Sequence, residues 1–168
     1  MESTGKLAGT YFLSVNGGAE EVSHNLLTNE GMAYMLEASL KGSPASPKFY
    51  LAPYTNNYTP TVTLTAANFT ATAGEMVNQN EGYTEAQRPE WKPGTLNGTV
   101  LDNMAAKAEF TFRSADSVTV YGMALLTTPT KGDGTGKLIS ITKFSKPRVM
   151  YDGDVLNVGY RIGLTTAG

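Results

Sequence analysis

The chain has 168 residues and no cysteine, one histidine and one tryptophan. Without cysteine there is no disulfide and no thiolate metal site. His24 is the sole imidazole, so any Ser–His dyad would need it. It sits in Ser23-His24-Asn25 ahead of an expected helix, where a solvated or capping role fits better. Charge is scarce as well: 13 basic and 15 acidic side chains give a net charge of −2, and 17% charged residues is low for a globular chain. No block of basic residues exists to neutralise phosphates, which argues against nucleic acid. The densest basic cluster, Lys143, Lys146 and Arg148, reads as an exposed strand end. No apolar run approaches the ~20 residues of a membrane span. The opening Met-Glu-Ser-Thr-Gly lacks the basic start and apolar core of a signal peptide, so synthesis in the cytosol without membrane contact is expected.

Threonine is abundant instead, with 22 residues beside nine tyrosines and six phenylalanines. β-Branched and aromatic residues suit a pleated sheet, and 18 glycines and eight prolines supply its turns. Residues 10–16 alternate, with Tyr11, Leu13 and Val15 on one side, and Asn16-Gly17-Gly18 offers the positive φ of a hairpin turn. A hairpin over 9–24 follows. One helix is predicted near 28–41, capped by Thr28, with Leu27 stapled to Met32 and Glu30 in the first turn. Its stripe of Met32, Met35, Leu36 and Leu40 is expected to face the core. A short strand is read at 49–52, and a short helix capped by Thr65 at 65–72. A long, mostly irregular crossover spans 74–104. Four strands then crowd 108–113, 118–127, 137–144 and 155–165. In the last, Leu156, Val158, Tyr160, Ile162 and Leu164 share a face, and Asp152-Gly153 marks the turn before it. Without a βαβ rhythm or an internal repeat, the fold class is mainly β: an antiparallel β-sandwich, jelly-roll-like.

The search for chemistry returns little. Lys131-Gly132-Asp133-Gly134-Thr135-Gly136-Lys137 resembles a phosphate loop, but Lys131 stands where its first glycine is needed and Leu138 where Ser or Thr is needed. Asp152-Gly153-Asp154 offers two carboxylates, too few for an EF-hand. Asn57, Asn68 and Asn97 fit a glycosylation pattern by chance in a Thr-rich chain. Glu81, Glu85 and Glu90 near Trp91 leave open a sugar-binding or glycan-hydrolysing site. No catalytic residue, metal or cofactor is assigned.

The most distinctive stretch is Gly82-Tyr83-Thr84-Glu85-Ala86-Gln87-Arg88-Pro89-Glu90-Trp91-Lys92-Pro93. Its two prolines stiffen an extended backbone around the only tryptophan, with Arg88 and Tyr83 close enough in sequence to stack on it. This reads as a loop pinned by a buried Trp91, or as an interface anchor. Together with Asn25-Leu26-Leu27-Thr28-Asn29-Glu30-Gly31 and Gly153-Asp154-Val155-Leu156-Asn157-Val158, it resembles the capsid cement or decoration proteins of tailed bacteriophages, from about Asn25 to the end. The resemblance implies a non-enzymatic virion protein on the outside of the mature icosahedral capsid, assembled in the host cytoplasm. Its implied partners are the major capsid protein and further copies of itself, as a dimer or trimer. A tail- or fibre-associated adaptor is the alternative. Residues 1–24 fall outside the resemblance and read as a hairpin arm on a 25–168 sandwich domain. The expected interface and anchor residues are Tyr11, Leu13, Val15, Tyr83, Arg88 and Trp91.

Overall fold

A computed structural model describes residues 4–167. The remaining positions of the arm (1–3) and of the sandwich domain (168) lie outside the described residues. Two antiparallel sheets face each other. The first contains β1 (Thr4–Val15), β2 (Glu21–His24), β5 (Gly82–Tyr83), β7 (Val100–Asp102), β8 (Ala108–Arg113) and β11 (Val155–Ala167), in the order β2-β1-β11-β8-β5 with β7 also on β11. The second contains β3 (Leu26–Leu27), β4 (Phe49–Tyr54), β6 (Glu90–Trp91), β9 (Val118–Leu126) and β10 (Leu138–Met150), in the order β3-β10-β9-β4-β6. The expected β-sandwich is therefore present. β1 beside β11 and β3 beside β10 give the nested pairing of a jelly roll; β9 and β10 are successive neighbours within one sheet, so the nesting stops there.

Burial explains which strands alternate. Tyr11, Leu13, Phe110, Phe112, Leu156, Val158 and Tyr160 of the first sheet pack between the sheets on Leu51, Val120, Met123, Leu125 and Ile139 of the second. The second sheet is covered on its other face too: Ala52, Ala124, Leu126 and Ile141 pack against Ala66, Phe69 and Ala73. Phe69 and its neighbours come from α2 (Ala66–Phe69), which runs on as a π turn over Thr70–Gly74. A strand buried on both faces needs no polar alternate, hence the unbroken Met123-Ala124-Leu125-Leu126.

The 9–24 hairpin forms, with Asn16 and Gly17 at φ 50° and 69°. It is not an arm. β1 pairs with β11 from Thr4↔Ala167 to Val15↔Leu156, and Tyr11 and Leu13 lie in the core. β11 takes the edge of β1, and the apolar face expected to form an interface packs on the second sheet.

The helix α1 (Asn29–Leu36) also forms, and continues as a π turn over Glu37–Lys41. Thr28 Oγ1 accepts from the Gly31 N–H at 2.9 Å and donates to the Leu138 carbonyl at 2.5 Å. The expectation that its Met/Leu stripe faces the core holds for Met35 and is wrong for Met32, Leu36 and Leu40. Gly31 lies so close to Ile139 that a Cβ would sit 2.3 Å from the Ile139 carbonyl oxygen, and this contact sets the helix rotation. Gly31, Tyr34, Met35 and Ala38 form the more buried side, and Met32, Leu36 and Leu40 turn outward. Leu40 is 82% exposed.

Two smaller expectations change. The 74–104 crossover is held by β5, β6 and β7, which touch both sheets. The basic cluster 143–148 is not a strand end; it is a wide bulge in mid-β10, where the pairing with β9 jumps from Lys143↔Gly122 to Arg148↔Val120.

Candidate functional site

Trp91 closes one end of the interior. β6 attaches to the edge of β4 through Phe49↔Trp91, and the Trp91 Nε1–H donates to the Tyr160 carbonyl at 3.0 Å. The indole meets Phe49 and Tyr160 edge-on, at centroid distances of 6.2 and 5.7 Å. It is 5% exposed, so it pins the crossover as the buried reading expected.

Outward from Trp91 the two sheets separate. A cavity of about 160 Å³ is lined by Met35, Phe49, Trp91, Leu101, Ile139 and Ile162, with Leu125 behind. Beside it, sharing Met35, Leu101 and Ile162, lies an open groove of about 360 Å³ walled by Leu7, Leu96, Thr99 and Leu164. The lining is almost wholly apolar. Leu96 is 59% and Leu164 54% exposed at its mouth. Leu96 belongs to an exposed run over 92–99 that follows Trp91 directly. Pro93 and Gly94 break any strand there, and Gly98 (φ 59°) makes the turn that brings Asn97 and Val100 into a bridge. The apolar groove is thus assembled from β1, α1, the 92–102 segment and β11, elements far apart in sequence.

At the groove mouth β7 and Thr99 leave β11 after Leu164, and beyond it β1 and β11 continue as a two-stranded ribbon, Thr4–Lys6 against Thr165–Ala167. β2 covers β1 only from Thr10 to Leu13. Asn25 then closes Gly9 from the same side: its Oδ1 accepts from the Gly9 N–H at 2.9 Å, and its N–H donates to the Gly9 carbonyl at 3.2 Å. Antiparallel strands alternate the direction of their peptide groups. Leu7 and Gly5 therefore also turn their N–H and C=O away from β11, towards a side where no described strand lies.

The residues expected to form an interface are not brought together at a surface. Tyr11, Leu13, Tyr83, Arg88 and Trp91 are buried, and Val15 packs against the same core. Arg88 does not stack on Trp91: its guanidinium is turned to the Glu75 carboxylate, 2.7 Å away. Tyr83 meets Phe110 edge-on at 5.1 Å and carries the Lys131 Nζ 3.4 Å above its ring centre. Burial pushes the Lys131 ammonium down to about 8, partly offset by the Glu85 and Glu75 carboxylates. The three glutamates near Trp91 do not converge. Glu81 accepts from Ser114 Oγ and the Ala115 N–H, which hold its carboxyl below its ordinary value. Glu85 accepts from the Thr111 N–H, and Glu90 pairs with Lys48 at 2.9 Å. With the indole turned inward, the aromatic-plus-acid sugar platform is not assembled. Asp154 is taken up by the Tyr151 N–H and the Asn16 amide, and no cluster of potential metal ligands occurs among the described residues.

The groove residues Leu7, Leu96 and Leu164 escape a reading by strand periodicity, since each looks like an ordinary inward leucine. The signal was available in Lys92-Pro93-Gly94-Thr95-Leu96-Asn97-Gly98, a turn-rich run carrying one isolated leucine. Neither protein-family models nor curated proteins match this sequence.

Proposed function

We propose that this chain is a structural protein of a tailed-phage virion that binds the outside of the mature capsid and stabilises it, without catalysis. The observation that carries the reading is the apolar groove rimmed by exposed Leu96 and Leu164. Apolar side chains held open to solvent beside a rigid sandwich suit a surface that is covered in use. The sequence resemblance supplies the class of partner, the major capsid protein. Mass action supplies the physics: a protein that binds only the expanded lattice stabilises it by its binding free energy at every site. The reading includes self-association to a dimer or trimer, for which the outward Leu36 and Leu40 of α1 are the contact.

Purified protein mixed with expanded and unexpanded heads lacking it should sediment with the expanded heads alone and raise their melting temperature. Binding to tails and not to heads would make it a tail adaptor; binding to neither would overturn the virion reading. Leu36→Asp with Leu40→Asp should shift the sedimentation coefficient of the free protein to that of a monomer.

A further inference from the structure

We propose that the open edge of β1 at Gly5–Leu7 is an acceptor for one extended strand of a different protein, antiparallel to β1, with an acidic residue opposite Lys6 and apolar residues on either side of it.

The peptide groups come first. Gly5 and Leu7 direct their N–H and C=O groups to the side away from β11, in line with Gly9, whose own pair is closed by Asn25. The far side of β11 agrees: Leu164, opposite Leu7, donates its N–H to Thr99 of the 92–99 run at 3.1 Å and not to β1. Gly5, Lys6 and Ala8 are exposed, so nothing described covers this edge. An uncovered edge of this kind is a template for strand addition.

The side chains say what would fit. Leu7 shares the inner face with Tyr11 and Leu13 and stands opposite Leu164 at the groove mouth. Residues of an added strand directly opposite Gly5 and Leu7 would share that inner face, one strand spacing of about 4.8 Å further on, over the groove. Apolar side chains there would extend the groove wall. Lys6 lies on the outer face, exposed, and no carboxylate pairs with it among the described residues.

Lys6 also decides against a second copy of this chain. Among the described residues, a two-fold antiparallel pairing that uses both free peptide groups centres on Lys6, which places Lys6 directly against Lys6 of the other copy. Like charges directly opposite are destabilising, and at a pair of this non-hydrogen-bonded type the side chains are at their closest. A head-to-tail addition avoids the clash, but it needs a second, different edge of the chain as the donor, and it closes into a ring or runs on as a filament according to its rotation. An acidic residue on a foreign strand turns the same position into an attraction. The inference rests on the proposed function only for the partner's identity.

The test uses capped pentapeptides and the full-length protein, followed by amide NMR. Ac-Thr-Val-Asp-Val-Thr-NH2 should shift the Gly5 and Leu7 amide signals and slow their hydrogen exchange about tenfold at saturation. The Lys-centred peptide should bind several-fold more weakly. Lys6→Glu should reverse that preference while leaving the fold untouched, since Lys6 is an exposed outer-face residue. Leu7→Pro should abolish the response, because it removes an N–H that β11 does not use. Absence of any shift at about 5 mM peptide, where even millimolar binding would register, overturns strand addition. So does equal binding of both peptides to wild type and Lys6→Glu. Protection of Gly5 and Leu7 that rises with protein concentration alone would mean that a second copy takes the edge. Absence of head binding by wild-type protein overturns the virion reading separately; undiminished head binding by Leu7→Pro overturns the capsid protein as the donor of this strand and leaves that reading standing, while the peptide arms decide strand addition itself.

Discussion

Arg88 and Glu75 meet fork to fork out of solvent: Nε donates to Oε1 at 2.7 Å and Nη2 to Oε2 at 2.8 Å. The rest of the guanidinium donates to the carbonyls of Thr128 (2.9 Å) and Asp133 (3.1 Å). Glu75 Oε2 further accepts from the Gly132 N–H and Thr70 Oγ1. One ion pair thus fastens the crossover to the 128–133 loop and to the end of the α2 segment. Removing one partner strands the other charge in the interior. Arg88→Met or Glu75→Leu should each lower stability by about 3–5 kcal/mol, and the double substitution by clearly less than their sum. Denaturant unfolding of the four proteins checks this; additive losses would mean the two side chains act independently.

Trp91→Ala should cost about 3–5 kcal/mol, as for other buried large-to-small changes. Trp91→Phe should recover most of that but leave the Tyr160 carbonyl only the longer 3.4 Å bond from the Asn103 N–H. A melting temperature indifferent to Trp91→Ala would contradict the indole's place in the core.

Deleting residues 1–15 removes the strand that pairs along β11 and takes Tyr11 and Leu13 out of the interior. The truncated chain should lose its cooperative thermal transition. A sharp melt with a β-type circular dichroism spectrum would restore the view of residues 1–24 as an appendage.

Two substitutions on α1 should separate its faces. Gly31→Ala drives a methyl into the Ile139 backbone and should destabilise by several kcal/mol or force the helix off the sheet. Leu40→Ser, on a side chain 82% exposed, should stay within about 0.5 kcal/mol of wild type once both are diluted to monomer, because the proposed contact between copies adds its own binding free energy at higher concentration. Chemical denaturation of both variants at that dilution decides it; a large loss from Leu40→Ser there would mean that the outward face is packed within the chain.

Alkaline pH should unfold the protein in a definite direction. Burial raises Tyr11, Tyr54, Tyr83 and Tyr160 well above the model-peptide value of 10.0. Once unfolded they ionise at about 10, so the unfolded chain loses protons first, and stability present below pH ~10 declines above it. Lys131 runs the other way: pushed down to about 8, it releases its proton earlier when folded and adds stability between about 8 and 10.5. Four tyrosines outweigh one lysine. The share of phenolate absorbance that these four tyrosines contribute should rise late in a pH titration, together with the loss of the near-ultraviolet dichroism. Tyr83→Phe should be neutral or stabilising, since the Tyr83 hydroxyl is buried without a hydrogen-bond partner among the described residues.

What the sequence displayed well was local. The four late strands, the Thr28 cap, the Asn16-Gly17 turn and the buried tryptophan all follow from spacing and backbone preference within a dozen residues, and they are present, though β10 runs on to Met150, past the expected end at 144. What it hid was decided at long range. Nothing near Tyr11 states that its neighbour will be Tyr160, 149 positions later, with ring centres 4.5 Å apart. The helix stripe misled because apolar periodicity marks a face without saying which side docks, and Gly31, lacking a side chain, set the rotation. Arg88 was read against Trp91, three residues on, when its partner was the Glu75 carboxylate that the crossover folds back to meet. The groove was invisible for the same reason, being the meeting place of four separate stretches of chain.

The first and last described residues are ladder partners, Thr4 opposite Ala167. The polypeptide comes into the sandwich and leaves it at neighbouring points, about 5 Å apart in Cα position. The domain can therefore be grafted into a loop of another protein without prising that loop open. By the same geometry, a short linker from 167 to 4 would allow the chain to be circularly permuted, with new ends cut in the exposed 92–99 run, while every strand kept its neighbours.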